Sequence, residues 1–374
     1  MVDARQLPDF PWDRLVPYGA RAAAAVGPAG MVDLSVGTPV DPTPVAVQAA
    51  LASAANAPGY PTTHGTPAVR QAAAGWLVRR LGVRGADPEA VLPLIGTKEF
   101  VAWAPILLNI GPGDTVIIPS VAYPTYDVGA RLAGAHVVVA DDPADFAPSS
   151  DAGANGRVAA VWLNSPSNPT GEVLARQQLR AVVSWGRQYD AVVLSDECYI
   201  ELGWTGQAPV SVLHPDVCGG SHDGVLAVHS LSKRSNLAGY RFGFVTGDPA
   251  LVRTLLAIRK HAGMIVPAPV QAGAAVALLD DDHVVEQRAR YFARRQLMLA
   301  ALQRAGLRVD HSEAGLYLWA TAGRPCWDTV GWFADRGVLV TPGDFYGVAG
   351  AEHVRVALTA SDKSIALAVR RIAG

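Results

Sequence analysis

The stretch Val225-Leu226-Ala227-Val228-His229-Ser230-Leu231-Ser232-Lys233 begins as an apolar run without alternation and turns at once into hydroxyl and amine side chains. A strand with one wet face alternates apolar and polar residues, so an unbroken run predicts a strand covered on both faces. The same pattern recurs at residues 92–95, 115–118, 136–140, 158–163, 191–195 and 242–246. Between these runs the spacing predicts helices, among them residues 100–109, 126–133 and 175–189. Strands alternating with helices imply an α/β fold with a mostly parallel sheet, because parallel neighbours need a crossover between them.

In open parallel sheets, ligands bind beyond the carboxyl ends of the strands. The residues at those ends are therefore informative. Residues 92–95 lead into Gly96-Thr97-Lys98-Glu99, and residues 158–163 into Asn164-Ser165-Pro166-Ser167-Asn168-Pro169-Thr170-Gly171. Residues 191–195 lead into Asp196-Glu197-Cys198-Tyr199, and residues 225–229 into Ser230-Leu231-Ser232-Lys233, while Arg241 borders the last strand. Polar and reactive groups collect at one edge of the sheet.

Half of the 374 residues are hydrophobic and 17% are charged, which suits one large domain or two coupled ones. After residue 266 the pattern changes. Residues 284–305 read as a long amphipathic helix, followed by strand-like pieces at 316–320, 338–340 and 353–357. The expected division is residues 1–44 as an N-terminal arm and part of a small domain, 45–266 as the large domain, and 267–374 as a C-terminal α+β domain, with Pro267 and Pro269 at the joint.

The formal net charge is −2 and no basic stripe appears, so no nucleic-acid partner is expected. Asp3, Arg5, Asp9 and Asp13 interrupt the N-terminus, which argues against a signal peptide. The longest uncharged run, residues 261–279, has the length of a membrane helix. Gly263, Pro267, Pro269, Gln271 and Gly273 break it, so we expect a buried or subunit-facing segment and no membrane association. Cys198, Cys218 and Cys326 are scattered without metal-type spacing, so no metal is expected and a reducing cytoplasm fits. A lysine nucleophile has four candidates: Lys98, Lys233, Lys260 and Lys363.

The groups at the sheet edge fit pyridoxal 5′-phosphate. That cofactor needs a lysine for its aldehyde, an acid at its pyridine nitrogen, a partner for its phenolic oxygen and a cradle for its phosphate. Lys233 is the preferred lysine, with Ser230, Ser232 and Arg241 near it in sequence. Asp196 would pair with the ring nitrogen, and Asn168 and Tyr199 with the phenolic oxygen. Gly96-Thr97-Lys98, opening a predicted helix, would offer N–H groups and a favourable dipole to the phosphate. Tyr123 would stack on the ring. Taken singly, each has a plainer reading: a helix cap for Asp196, a turn for residues 165–171, a core aromatic for Tyr123 or Tyr199, a surface amine for Lys233.

In combination, Asn168-Pro169-Thr170-Gly171, then Asp196-Glu197-Cys198-Tyr199, then Ser230-Leu231-Ser232-Lys233 with Gly239-Tyr240-Arg241 behind it, resembles the class I/II aminotransferases of fold type I. The resemblance spans most of the chain. It implies a seven-stranded large domain, a small domain made from both termini, and an amino transfer in two halves between pyridoxal and pyridoxamine forms. It implies that Lys233 moves the substrate's Cα proton, with Asp196 and Tyr199 as catalytic partners. It also implies that Arg355, in His353-Val354-Arg355-Val356-Ala357, holds the α-carboxylate together with Gly37 and Asn168. Tyr60, in Gly59-Tyr60-Pro61, resembles a tyrosine that reaches the phosphate of the neighbouring subunit, so a homodimer acting on small amino and oxo acids is implied.

Further stretches resemble the actinobacterial succinyldiaminopimelate transaminases of lysine and cell-wall biosynthesis, notably Leu7-Pro8-Asp9-Phe10-Pro11-Trp12-Asp13 and Val340-Thr341-Pro342-Gly343-Asp344-Phe345-Tyr346-Gly347. That resemblance implies glutamate as donor and N-succinyl-2-amino-6-oxopimelate as acceptor. Arg21, Lys98 and Arg234 are the candidates for distal carboxylates, and Trp12 and Tyr18 for closing over the substrate. Transfer to another amino acid, aspartate-like or aromatic, stays open, as does β-elimination on the same cofactor. A non-catalytic regulator lacks its basic DNA-binding segment here, and a nicotinamide dehydrogenase its Gly-x-Gly-x-x-Gly after the first strand.

Overall fold

The computed structural model describes residues 7–8, 10–142, 156–205 and 208–374; Asp3, Arg5 and Asp9 lie outside the described residues. The chain enters through a 3-10 turn, Pro11–Leu15, then forms α1 (Val16–Val26), β1 (Val32–Asp33), α2 (Val45–Ser53) and α3 (Pro67–Leu81). Local chemistry sets the bounds of α3. The Thr66 hydroxyl accepts the Val69 N–H at 3.3 Å, Pro67 sits where no N–H is needed, and Gly82 ends the helix at a left-handed φ of 66°.

The large sheet comprises β2 (Val91–Ile95), β3 (Asp114–Ile118), β4 (His136–Val139), β5 (Arg157–Asn164), β6 (Val192–Asp196), β7 (Val225–Ser230) and β8 (Phe242–Gly247), ordered β2-β8-β7-β6-β5-β3-β4. Neighbours from β7 to β4 are parallel; β8 runs antiparallel to both β2 and β7. These are the seven strands expected from sequence. Between and after them lie α4 (Thr97–Leu107), α5 (Thr125–Ala133), α6 (Arg176–Gln188), the short α7 (Pro215–Cys218) and α8 (Leu231–Arg234), α9 (Pro249–Ala262) and α10 (Ala268–Leu279).

Both sheet faces are covered. Val225 and Ala227 of β7 join an apolar cluster with α2, α3, α6 and α10, whereas Leu226 and Val228 join one with α4, α5 and α9. That two-sided burial is why these strands show no alternation. Helix α4 starts three residues before the expected 100 because Gly96, at φ 72°, turns the chain directly from β2 into Thr97.

Helices α4 and α5 approach closely at Gly129, where a Cβ would fall 2.8 Å from the Val101 carbonyl oxygen and 3.0 Å from that of Ala102. Gly129→Ala is therefore expected to destabilise the fold by about 1–3 kcal/mol through overpacking against a rigid backbone. A urea-unfolding midpoint equal to that of the parent protein would contradict this.

The uncharged run at 261–279 resolves into the end of α9, a turn and α10, whose Ala274, Ala277 and Leu278 are buried against α2 and α3. Helix α10 thus belongs with the cover of the large sheet, and the boundary drawn at residue 267 cuts through that packing. No helix among the described residues is long and apolar enough to cross a membrane.

The remaining elements are α11 (Asp282–Arg304), β9 (Arg308–Asp310), β10 (Tyr317–Thr321), α12 (Cys326–Ala334), β11 (Val338–Leu339), β12 (Thr341–Pro342), β13 (His353–Ala357) and α13 (Asp362–Ala373). Four of the strands form an antiparallel sheet, β12-β13-β10-β9, and β1 pairs in parallel with β11. Leu15, Val32 and Leu34 share one apolar cluster with Met298, Trp319, Phe333, Val356 and Ile365. The N-terminal arm is thereby stitched to the C-terminal elements, which carries residues 35–37 to the edge of β13.

Candidate active site

A cavity of about 490 Å³ opens where the carboxyl ends of β5, β6 and β7 meet the start of α4, the arm and β13. Of the residues expected from sequence, Gly37, Thr97, Lys98, Tyr123, Asn168, Asp196, Tyr199, Ser230, Ser232, Lys233, Arg241 and Arg355 line it. Gly96 adjoins it, because a Cβ there would collide with the Arg241 guanidinium. These residues come from both ends of the sequence and are brought together by the fold alone.

Lys233 reaches the cavity because β7 ends in a tight turn. The Ser230 hydroxyl accepts the Ser232 N–H at 3.1 Å and caps α8, which presents Lys233. Its ammonium donates to the Gly37 carbonyl of the arm. Desolvation lowers the amine below the ordinary lysine range; Arg355 and Arg241 act in the same direction, against Tyr317 and Cys198. Arg241 holds a left-handed φ of 56°, unusual for a residue with a side chain, with Nη1 donating to the Ala238 carbonyl at 2.9 Å. Such an outlier at a ligand-sized cavity points to a position fixed for binding.

Asp196 ends β6 and is buried. Its Oδ1 accepts the Cys198 N–H at 3.1 Å, and its Oδ2 accepts the Tyr126 hydroxyl at 3.0 Å. Burial pushes its carboxyl above the usual carboxylate range, although the bonds from Cys198 and Tyr126 oppose this. Asn164 Nδ2 donates to the Asp196 carbonyl at 2.9 Å, while Asn164 Oδ1 accepts the Asn168 N–H at 2.7 Å, so one side chain sets both neighbours. Glu197 points to the far face of the sheet, 3.7 Å from His229, with its carboxyl raised by burial to about 8.

Arg355 projects from β13 into the cavity wall. Nη1 donates to Asn168 Oδ1 at 2.9 Å and Nη2 to the Ser35 carbonyl at 2.6 Å, while Nε has no partner among the described residues. The guanidinium lies 4.0 Å from the ring centre of Tyr317 and 5.1 Å from that of Tyr346. Thr341 also donates to the Ser35 carbonyl, at 2.5 Å, which pins the loop carrying Gly37.

Several expectations are corrected. Arg21 lies on α1, in an exposed ion pair with Asp335 at 2.6 Å, away from the cavity. Arg234 points behind α8 to Glu201 at 2.6 Å and over Trp76, because consecutive helical residues face different ways. Of the three cations considered for distal carboxylates, Lys98 alone faces the cavity. Trp12 lines it, whereas Tyr18 packs on Trp327 at 5.1 Å. Tyr60, expected to serve a neighbouring subunit, is not among these corrections: it is 100% exposed on this chain and does not line its own cavity.

Sequence reasoning passed over Tyr126, Asn164, Cys198 and Tyr317, each of which touches an expected site residue. Asn164 and Cys198 were signalled by their place at strand ends. Tyr126 and Tyr317 lie within helical and strand patterns, where an aromatic reads as core.

Residues 29–372 match the family described as aminotransferase class I and II. Among similar proteins is 4-dedimethylamino-4-oxo-anhydrotetracycline transaminase OxyQ of Streptomyces rimosus, 58% identical over 368 residues that cover 98% of this chain and 99% of the relative. Another, named "Probable aminotransferase Rv1178", of Mycobacterium tuberculosis, is 57% identical over 366 residues, 98% of this chain and 85% of the relative. A solved structure from Thermus thermophilus, described as a "probable N-succinyldiaminopimelate aminotransferase", superposes with a TM-score of 0.83 at 29% identity, covering 96% of this chain and 99% of that one. With that match across its length and a cavity that gathers lysine, aspartate and arginine at one sheet edge, the chain belongs to the class I and II aminotransferases, enzymes of fold type I that depend on pyridoxal 5′-phosphate.

Proposed function

We propose that this aminotransferase moves an amino group from glutamate to N-succinyl-2-amino-6-oxopimelate. The observation that carries the reading is a pair of cations in one cavity. Arg355 is buried with its Nε uncommitted, and Lys98 stands at the mouth with no ion pair among the described residues, its ammonium 5.8 Å from the Phe10 ring. Two separated cations suit substrates with two separated carboxylates, one read by a planar fork and the other by a mobile point charge. The substrate in the name of the Thermus thermophilus structure supports the same choice.

The residues present fit the cofactor. A desolvated amine without a carboxylate partner, a buried carboxylate raised by burial, and an arginine packed where only glycine allows it supply three of the four needs. When bound, pyridoxal phosphate supplies the electron sink for charge developing at the substrate Cα. We assign the aldehyde to Lys233 and the ring nitrogen to Asp196. Asn168 and Tyr199 are assigned to the phenolic oxygen, and the ring face to Tyr123. The phosphate falls to the N–H groups at Gly96, Thr97 and Lys98, with Ser230, Ser232 and Arg241. Lys233 then takes and returns the Cα proton. Its lowered pKa raises the fraction of free amine near neutral pH, which is what a base requires. Arg355, Asn168 and Gly37 orient the α-carboxylate.

A second subunit completes this reading. Tyr60 is fully exposed in a loop whose His64 contacts the Glu89 carbonyl, close to α9. Ile258 of α9 and Trp103 and Ile106 of the adjoining α4 are exposed too, and large apolar exposure of this kind marks interfaces. In a homodimer, Tyr60 would serve the partner's phosphate site. A cytoplasmic setting is part of the proposal, supported by three free cysteines.

One observation favours a second acceptor. Phe10, Trp12, Tyr123 and Tyr317 give the cavity aromatic walls, and the Streptomyces rimosus relative is named for a tetracyclic oxo substrate. Both readings meet in one titration. Glutamate should convert the visible absorbance of the holoenzyme to that of the pyridoxamine form, and N-succinyl-2-amino-6-oxopimelate should restore it. Restoration by 4-dedimethylamino-4-oxo-anhydrotetracycline, and not by the oxopimelate, would replace the first acceptor with the second. No response to glutamate would overturn the donor.

A further inference from the structure

We propose that Tyr317 is a positioning residue of the reaction centre, whose hydroxyl holds the Tyr199 hydroxyl in the orientation that donates to the cofactor's phenolic oxygen. The inference rests on the cofactor assignment above and concerns a residue in an apolar strand that packing alone would explain.

The hydroxyls of Tyr199 and Tyr317 lie 3.2 Å apart, both rings are buried, and the rings meet edge to face at 5.8 Å and 74°. Phenylalanine would fill the same volume, so the hydroxyl is the informative atom. A buried hydroxyl is costly unless it is hydrogen-bonded, and its hydrogen-bond partner here is Tyr199. Each phenol has one proton to give. If Tyr199 gives its proton toward the cofactor, its oxygen is left to accept, and Tyr317 is placed to donate to it. Donors in series polarise one another, so Tyr199 becomes a stronger donor than a lone phenol.

The surroundings fix Tyr317 in turn. The Arg355 guanidinium covers its ring at 4.0 Å. On the other side, a Cβ at Gly37 would collide with the Tyr317 hydroxyl, and Gly37 is the residue whose carbonyl receives the Lys233 amine. The hydroxyl therefore sits where the tyrosine, arginine and lysine of the site converge. Burial pushes the Tyr317 phenol up, but the nearby Arg355 and Lys233 charges bring it below the ordinary tyrosine value, which suits it to donate.

The test is Tyr317→Phe in the holoenzyme, alone and combined with Tyr199→Phe. The readout is the pH midpoint at which the visible absorbance band shifts. Weakening the donor to the phenolic oxygen disfavours the deprotonated form of the bound cofactor, so Tyr317→Phe should raise the midpoint by about half to one unit. In the Tyr199→Phe background the same substitution should move it no further, because its effect passes through Tyr199. The KM for glutamate should stay within about twofold, since the Phe ring still lies under Arg355, while kcat falls roughly threefold to tenfold. An unmoved midpoint, or an equal shift in both backgrounds, would overturn the proposal. A parent protein with no visible band would overturn the cofactor assignment itself, a result distinct from either.

Discussion

Replacing Lys233 with alanine is expected to abolish the visible absorbance of the purified protein and to lower turnover by about four orders of magnitude, the scale of a lost nucleophile and general base. Among the four lysines, Lys98, Lys260 and Lys363 are exposed; Lys98 and Lys233 both line the cavity, and of these Lys233 is the one withdrawn from solvent. The Lys233 amine is held against the Gly37 carbonyl with its pKa lowered by desolvation, so removing it removes both functions together. Absorbance spectra and single-turnover rates with glutamate check the two effects separately. A surviving band, with borohydride-trapped cofactor mapping to Lys98, Lys260 or Lys363, would move the site.

The large sheet was legible because burial on both faces leaves a plain signature: runs such as 225–229 and 158–163 carry no alternation, and polar residues begin where the strands stop. Gly96, Asp196 and Lys233 could be placed at one edge from topology alone. Arg355 was a different matter. It lies on β13 of a separate antiparallel sheet, more than a hundred residues beyond Lys233, and nothing in its local pattern distinguishes it from other arginines. Only resemblance pointed to it.

The errors have physical causes too. Arg234 follows Lys233, and closeness in sequence suggested closeness in the site; on α8 the two side chains diverge, and Arg234 spends its charge on Glu201. Arg21 was a candidate for a distal carboxylate, but its charge goes to Asp335, a partner 314 positions away that no local pattern reveals. Tyr126 and Tyr317 were hidden because an aromatic in an apolar pattern is ordinarily core, and a hydroxyl's partner is set by tertiary packing. The boundary at residue 267 followed a proline signal, whereas small, uncharged α10 joined the sheet its apolar surface could cover.

Arg355→Ala is expected to raise the KM for glutamate and lower kcat/KM by roughly a hundredfold, about 3 kcal/mol, the scale of a charge-assisted pair lost in a buried site. The surroundings of the Arg355 guanidinium set this expectation. Two of its nitrogens are committed to Asn168 and the Ser35 carbonyl, and its face is stacked on Tyr317 and Tyr346, so its direction is fixed before substrate arrives. That preorganisation spares the substrate the cost of ordering a flexible cation. Arg355→Lys should recover little, because an ammonium can neither reproduce the planar fork nor hold Asn168 and Ser35 simultaneously. The loss should depend on the substrate carboxylate: a simple primary amine, processed poorly by the parent, should lose less than about threefold in the variant, since it never used the arginine. Equal losses for glutamate and for an amine without a carboxylate would show that Arg355 supports the fold of the cavity and does not read the substrate.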